Sequence, residues 1–342
     1  ESLLDQMNPT EALKMYNFAA YKVDAVSSVG LPGVACADGP VGWTSFMNAG
    51  LFKNCCSYSC GVTIASTWNT DLVEEFGKAV GEEGLVGNNG TPYTGWYAPA
   101  MNIHRSPFGG RCFEYYSEDS LLSGKIGAAE VKGTRSTGVV AYVKHFALNE
   151  QETHRSISGD CSWVTEQAMR EIYLRPFEIT VKEGKAIGIM SSFNRIGTRW
   201  TGGDYRLLTT ILRDEWGFEG SVICDFNTIP TYMDAKQEAY AGGDLNLATM
   251  SNASWSFDES SIGDQLILRR VLKDVCYSYA NSNVMRGKVV GTKAKTWLWI
   301  DYTIVAVFVG AILVWGAILI PYNVKKIRKE ESGNQNSEKS DS

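Results

Sequence analysis

A run of 19 residues without a charge, YTIVAVFVGAILVWGAILI from Tyr302 to Ile320, sets the first limit on this chain. As a helix rising about 1.5 Å per residue, it is long enough to cross a hydrocarbon core of about 30 Å. Trp297, Trp299, Tyr302 and Tyr322 bracket it, as aromatic residues do at a membrane interface. Lys325, Lys326, Arg328 and Lys329 follow at once, then ESGNQNSEKSDS, a polar stretch expected to be disordered. A buried core helix would not run straight into a basic cluster and a polar tail. The sequence therefore predicts one lipid-spanning helix over 297–322, a juxtamembrane linker over 286–296 and a basic, polar tail over 323–342. The basic cluster places the tail in the cytoplasm and residues 1–285 outside the cell. Arg286, Lys288, Lys293 and Lys295 on the other flank weaken that bias.

Residues 1–285 are long enough for one large domain. Hydrophobic residues make up 44% of the chain, so a sizeable core can form, and a net charge of −6 argues against nucleic acid as a partner. Glycine is frequent (34) and proline scarce (9), which suits many tight strand-to-helix turns. The eight cysteines follow no zinc spacing: Cys55, Cys56 and Cys60 cluster without a histidine beside them. His104 and His154 lack carboxylates or cysteines at ligand spacing, so no metal or other cofactor is expected. The sequons Asn89-Gly90-Thr91 and Asn252-Ala253-Ser254 matter only in a glycosylating host.

Short apolar runs at 33–37, 96–103, 139–146, 187–193, 221–226 and 244–247 read as strands buried on both faces. Helical patterns lie between them, at 71–86, 120–136, 164–183 and 205–216, with Thr165 as a start signal. This alternation predicts an α/β fold, a (β/α)8-type TIM barrel of possibly irregular form or a doubly wound sheet.

The runs end in chemistry. Asp38 follows the first, and Asn102, His104, Arg105, Arg111 and Glu114 follow the second. Lys144 and His145 close the third, Phe193 and Asn194 the fourth, and Asp225 the fifth. In a barrel these ends share one face, where active sites are built. A charged network that merely closes the barrel mouth would look similar. Carbohydrate chemistry fits the mixture: Asp38 can accept from sugar hydroxyls, while Lys144, His145 and Arg111 can donate to them. Asp225 would lie beneath the anomeric carbon as nucleophile, and a retaining glycosidase adds a second carboxyl group about 5–5.5 Å away.

Several long stretches carry a family resemblance: CADGPVG, NIHRSPFGGRCFEYYSED, KHFALNEQETHR, MREIYLRPFEITVKEGKAIGIMSSFN, LRDEWGFEGSVICDF and GGDLNLA, in this order. The chain resembles the barrel domain of glycoside hydrolase family 3, known from β-glucosidases and β-xylosidases, over about 4–285. The resemblance implies that Asp225 is the nucleophile and that Asp38, Arg111, Lys144 and His145 hold the sugar. It also implies that Glu114 orients Arg111, with Arg105 and Arg155 in support. The family's usual tyrosine and tryptophan are here Phe193 and Phe226, which lose a hydroxyl and an indole N–H.

The general acid is missing from this pattern. The family supplies it from a second α/β domain, or in one branch from a Gly-His-Gly loop that here reads Ala147-Leu148-Asn149-Glu150. An inverted domain order, with the α/β domain upstream in the same polypeptide, would account for this. The resulting expectation is a membrane-tethered retaining exo-β-glycosidase acting on β-linked oligosaccharides. A sugar-binding surface protein without turnover, or a transglycosylase or phosphorylase, would use the same scaffold.

Overall fold

Nine strands alternate with helices along the described part of the chain: β1 (Lys22–Val23), β2 (Val34–Asp38), β3 (Tyr93–Tyr97), β4 (Val140–Phe146), β5 (Cys161–Ser162), β6 (Gly188–Ser191), β7 (Arg195–Ile196), β8 (Arg199–Trp200) and β9 (Ser221–Ile223). The structure is a computed structural model that describes residues 2–45, 55–87, 92–157, 159–227, 232–249, 253–286 and 296–338. The chain forms two units, Glu1–Val290 and Gly291–Ser342. The sequons and Lys288, Lys293 and Lys295 lie wholly or partly outside the described residues.

Strands β2, β3, β4, β6 and β9 pair in parallel in that order. Every residue of β3, β4, β6 and β9 is buried, as befits a sheet covered on both faces. Leu245 continues the array through a parallel bridge to Ile223. The array then returns to its beginning: Asn246 N donates to Tyr16 O (2.9 Å), Ala19 N to Asn246 O (3.0 Å) and Cys36 N to Tyr21 O (2.9 Å). The sheet thereby closes into a barrel without a free edge along this seam.

The barrel-type α/β fold expected from the sequence is present in an irregular form. Among the described residues the parallel array has five strands and the Leu245 bridge, while β1 runs antiparallel to β2. The short hairpin through Val26 and Leu31 explains the reversal, because a parallel return needs a crossover of about a dozen residues or more. The expected strand 96–103 also differs. It begins earlier and stops at Tyr97, since Pro99 has no N–H for a ladder. Pairing resumes beyond the proline: Lys144 N donates to Pro99 O, and Ala100 bridges Lys144.

The helices begin where capping side chains allow. Asn69 accepts from Asp71 N and Leu72 N at the start of Thr70–Val86, Asp119 accepts from Leu122 N before Ser120–Ser136, and Thr165 accepts from Ala168 N. The two long helices pack closely because a Cβ at Gly77 would lie 2.2 Å from Glu130 O.

The second unit contains the helix Thr296–Glu338. Within it, Tyr302–Lys329 is long and apolar enough to cross a membrane, by length and composition. The helix runs on to Glu338, into the stretch ESGNQNSEKSDS that the sequence offers as disordered. Lys, Arg and Glu are strong helix formers, and they fill the stretch just after the apolar run.

Candidate active site

At the carboxyl ends of β2, β4, β6 and β9 lies a cavity of about 560 Å³, a usual size for a small-molecule site. Asp38, Arg111, Glu114, Lys144, His145, Arg155, Phe193, Asp225 and Phe226 all line it. Nine of the ten residues to which the family resemblance gives a place in the site are thus brought together by the fold. Arg105 is the exception: it does not line the cavity, and its charge acts instead on the half-buried Glu150.

Asp225 follows β9 and is 8% exposed. Its Oδ1 accepts from Phe226 N at 2.7 Å. Its Oδ2 has no hydrogen-bond partner; Arg155 Nη1 lies 3.8 Å away and His145 Nε2 4.0 Å away. Burial raises the Asp225 pKa, while Arg155, Arg111, the Phe226 N–H and Lys144 oppose the rise. Desolvation thus acts against the cations gathered around this carboxylate.

The cations are themselves held. Arg111 Nε donates to Glu114, whose other oxygen lies 3.5 Å from Lys144 Nζ. Glu114 is 2% exposed, so it fixes both cations from below rather than facing solvent. Arg155 pairs with Glu152 at 3.0 Å, donates to Asn149 Oδ1 at 3.2 Å and stacks over Phe193 at 4.5 Å. His145 is pushed well down in pKa by burial first, then by Arg111, Lys144 and Arg155, so it is neutral at pH 7. Asn102 clamps its backbone, accepting from His145 N at 2.9 Å and donating to His145 O at 3.1 Å.

Two residues escaped the sequence reading. Glu152 lines the cavity and meets both Arg155 and Arg111 (3.8 Å). It sits inside the KHFALNEQETHR stretch, where no spacing distinguishes it from its neighbours. Tyr21 lines the same cavity, bonds to Asp38 and packs against Phe226 with ring centroids 6.4 Å apart. Burial, then the charge of Asp38, raises its pKa. Its only local signal is a left-handed backbone, φ 59°, which is a property of the fold.

His104 bonds the Tyr115 carbonyl through Nε2 at 3.0 Å, and no group of three possible metal ligands occurs among the described residues. The eight cysteines are free thiols.

A parallel α/β barrel with charged side chains gathered at its strand ends belongs to the broad class of barrel proteins whose site lies on that face. Residues 5–251 match the glycosyl hydrolase family 3 N terminal domain, and the chain belongs to that family. It is 42% identical over 219 residues to β-glucosidase A of Butyrivibrio fibrisolvens, covering 64% of this chain and 25% of that protein. It is 35% identical over 250 residues to β-glucosidase B of Emericella nidulans, covering 72% and 28%. The structure resembles β-glucosidase 3B of Thermotoga neapolitana in complex with α-D-glucose, with a TM-score of 0.73, 32% identity and coverage of 85% and 44%. The chain thus spans about a quarter of the length of these curated relatives.

Proposed function

We propose that the barrel is the nucleophile-bearing part of a retaining β-glucosidase-like exo-glycosidase. The observation that carries this is Asp225 Oδ2: buried, without a hydrogen bond, and at the wall of a sugar-sized cavity flanked by cations. In the first step Asp225 Oδ2 bonds to the anomeric carbon as the bond to the leaving oxygen breaks. In the second, water attacks that carbon, gives one proton to the same group that had protonated the leaving oxygen, and displaces the Asp225 carboxylate. Asp38 accepts from the sugar hydroxyls, and Tyr21, whose one proton goes to Asp38, offers its oxygen as a second acceptor. Arg111, Lys144 and neutral His145 donate to them, while Phe226 and Phe193 supply ring faces. The relatives' name and the bound glucose of the Thermotoga protein favour a β-glucoside as substrate.

Glu114 and Glu152 are each engaged by cations, so neither stands free as a proton donor. In this reading the acid is supplied by an α/β domain preceding the barrel in the same polypeptide. The same observation favours a second reading, a sugar-binding protein without turnover. The apolar segment Tyr302–Lys329 is read as a bilayer span, with the barrel outside the cell.

The test is to incubate the full chain, in detergent, with a 2-fluoro-β-glucosyl donor bearing a dinitrophenolate. That leaving group departs without a proton, so the acid is not required. An adduct of glycosyl mass on Asp225 supports the enzyme. Folded protein that binds glucose but gives no adduct favours the binding protein.

A further inference from the structure

Arg195 lies outside the cavity, on the short strand β7, and is partly buried. Its guanidinium donates to two backbone carbonyls of the loop after β4: Arg155 O at 3.3 Å, and Ser156 O at 3.1 Å from both Nη1 and Nη2. One face of the same group stacks on the Tyr232 ring at 3.8 Å, and Tyr232 OH donates to Phe193 O at 3.0 Å. Phe193 is the ring beneath the Arg155 guanidinium. A second tie joins the same segments, from Asn194 Nδ2 to Gln151 O at 3.2 Å.

These contacts form a closed circuit. The backbone of Arg155 is fixed by Arg195, and its head is supported by Phe193, which Tyr232 fixes in turn. The guanidinium fork explains why arginine suits this place: two donors reach adjacent carbonyls while the flat face stacks on a ring. A lysine would keep the charge but lose the fork.

We propose that Arg195, with Tyr232, is a positioning residue that acts through Arg155 and sets its approach to Asp225. The inference rests on Asp225 being the nucleophile. Arg155 Nη1 stands 3.8 Å from Asp225 Oδ2, just beyond a hydrogen bond, so a small shift of its loop changes the interaction markedly. Arg111, Lys144, His145, Tyr21 and Tyr232 also face Asp225, and Arg195 touches only the last of these among the described residues.

The experiment is a double-mutant cycle on the full-length chain, reading the rate of Asp225 labelling by the 2-fluoro-β-glucosyl dinitrophenolate. Arg195→Ala should slow labelling by about 10- to 100-fold, and Arg195→Lys should recover part of it. In an Arg155→Ala background Arg195→Ala should add almost nothing, because residues acting through one group are not additive. Equal penalties in both backgrounds, or no penalty at all, would overturn the proposal. Thermal unfolding separates a folding defect from a positioning one. A second readout needs no reaction: the Asp225 carboxyl titration, followed by carbon-13 NMR and assigned with Asp225→Asn. Arg195→Ala should raise its midpoint when Arg155 is present and leave it unmoved when Arg155 is absent. If the wild-type chain fails to label, the nucleophile reading falls, while the titration still decides whether Arg195 acts through Arg155.

Discussion

At the amino end of β9, Asp244 is fully buried and fully engaged. Its Oδ2 accepts from Arg213 and from Val222 N, both at 2.7 Å, and its Oδ1 accepts from Arg270 at 2.7 Å. At the carboxyl end of the same strand Asp225 is almost as buried, yet its Oδ2 has no hydrogen bond and its nearest cation stands at 3.8 Å. Both sites collect arginines around a carboxylate. One saturates the charge and ties the strand to the helix Ile262–Ala280; the other leaves a lone pair available. Buried charge in a barrel thus has two uses, and the count of satisfied oxygens separates them.

That contrast can be broken most severely at Asp225. Replacing it by Asn should abolish labelling by an activated fluoro-sugar, a loss of at least about three orders of magnitude. The folded protein should be no less stable. Burial raises the folded-state pKa of Asp225, so the folded state binds its proton more tightly than the unfolded chain does. Stability then falls as pH rises past the usual carboxylate value, and the Asn variant escapes that loss. Chemical denaturation at pH 5 and pH 8 checks the sign.

Asp244→Ala should do the reverse. Removing the shared carboxylate leaves Arg213 and Arg270 with Asp274 as their one remaining anion among the described residues, at a cost of up to about 3–5 kcal/mol. Urea unfolding should show this directly, and cavity binding should weaken only as the folded fraction falls.

A third carboxylate sharpens the comparison. Glu130 is buried beneath Tyr116, whose hydroxyl donates to it, and burial pushes its pKa to about 8. It binds a proton in the folded state between the usual 4.5 and about 8, where the unfolded chain does not. The barrel should lose stability as pH rises through that window, and Glu130→Gln should flatten part of the slope. Parallel denaturation curves for both proteins across pH 5–8.5 would refute this.

The smallest effect is expected at Phe193. A Phe193→Tyr variant adds a hydroxyl near Arg155 and the cavity. It should change labelling by no more than about tenfold, the scale of one net hydrogen bond. A larger change would mean that the phenyl face itself carries recognition.

Much of the molecule was legible in the sequence because the signals are local. Residues 139–143 form a continuous apolar run that reads as a buried strand, and Lys144 and His145 directly after it line the cavity. Helices with side-chain caps, such as Thr70–Val86, fell within a residue of expectation. The strand at 96–103 was misplaced because apolar character continues past Pro99 while ladder capacity does not. Tyr21 and Glu152 were missed for a different reason: their roles depend on what lies opposite, and Tyr21 meets Phe226 across some two hundred residues of chain. Arg105 stands beside cavity-lining residues in sequence but does not itself line the cavity.

The seam that closes the barrel also bears on how the chain is made. The segment after the first helix pairs with Asn246, and Asn17 accepts from Trp255 N, 238 residues further on. During synthesis the amino-terminal segment therefore has no mate until nearly all of the barrel has emerged. Such long-range closure is slow and leaves apolar edges open to aggregation meanwhile. On a ribosome the barrel should therefore close late, only after the segment through Trp255 has left the exit tunnel.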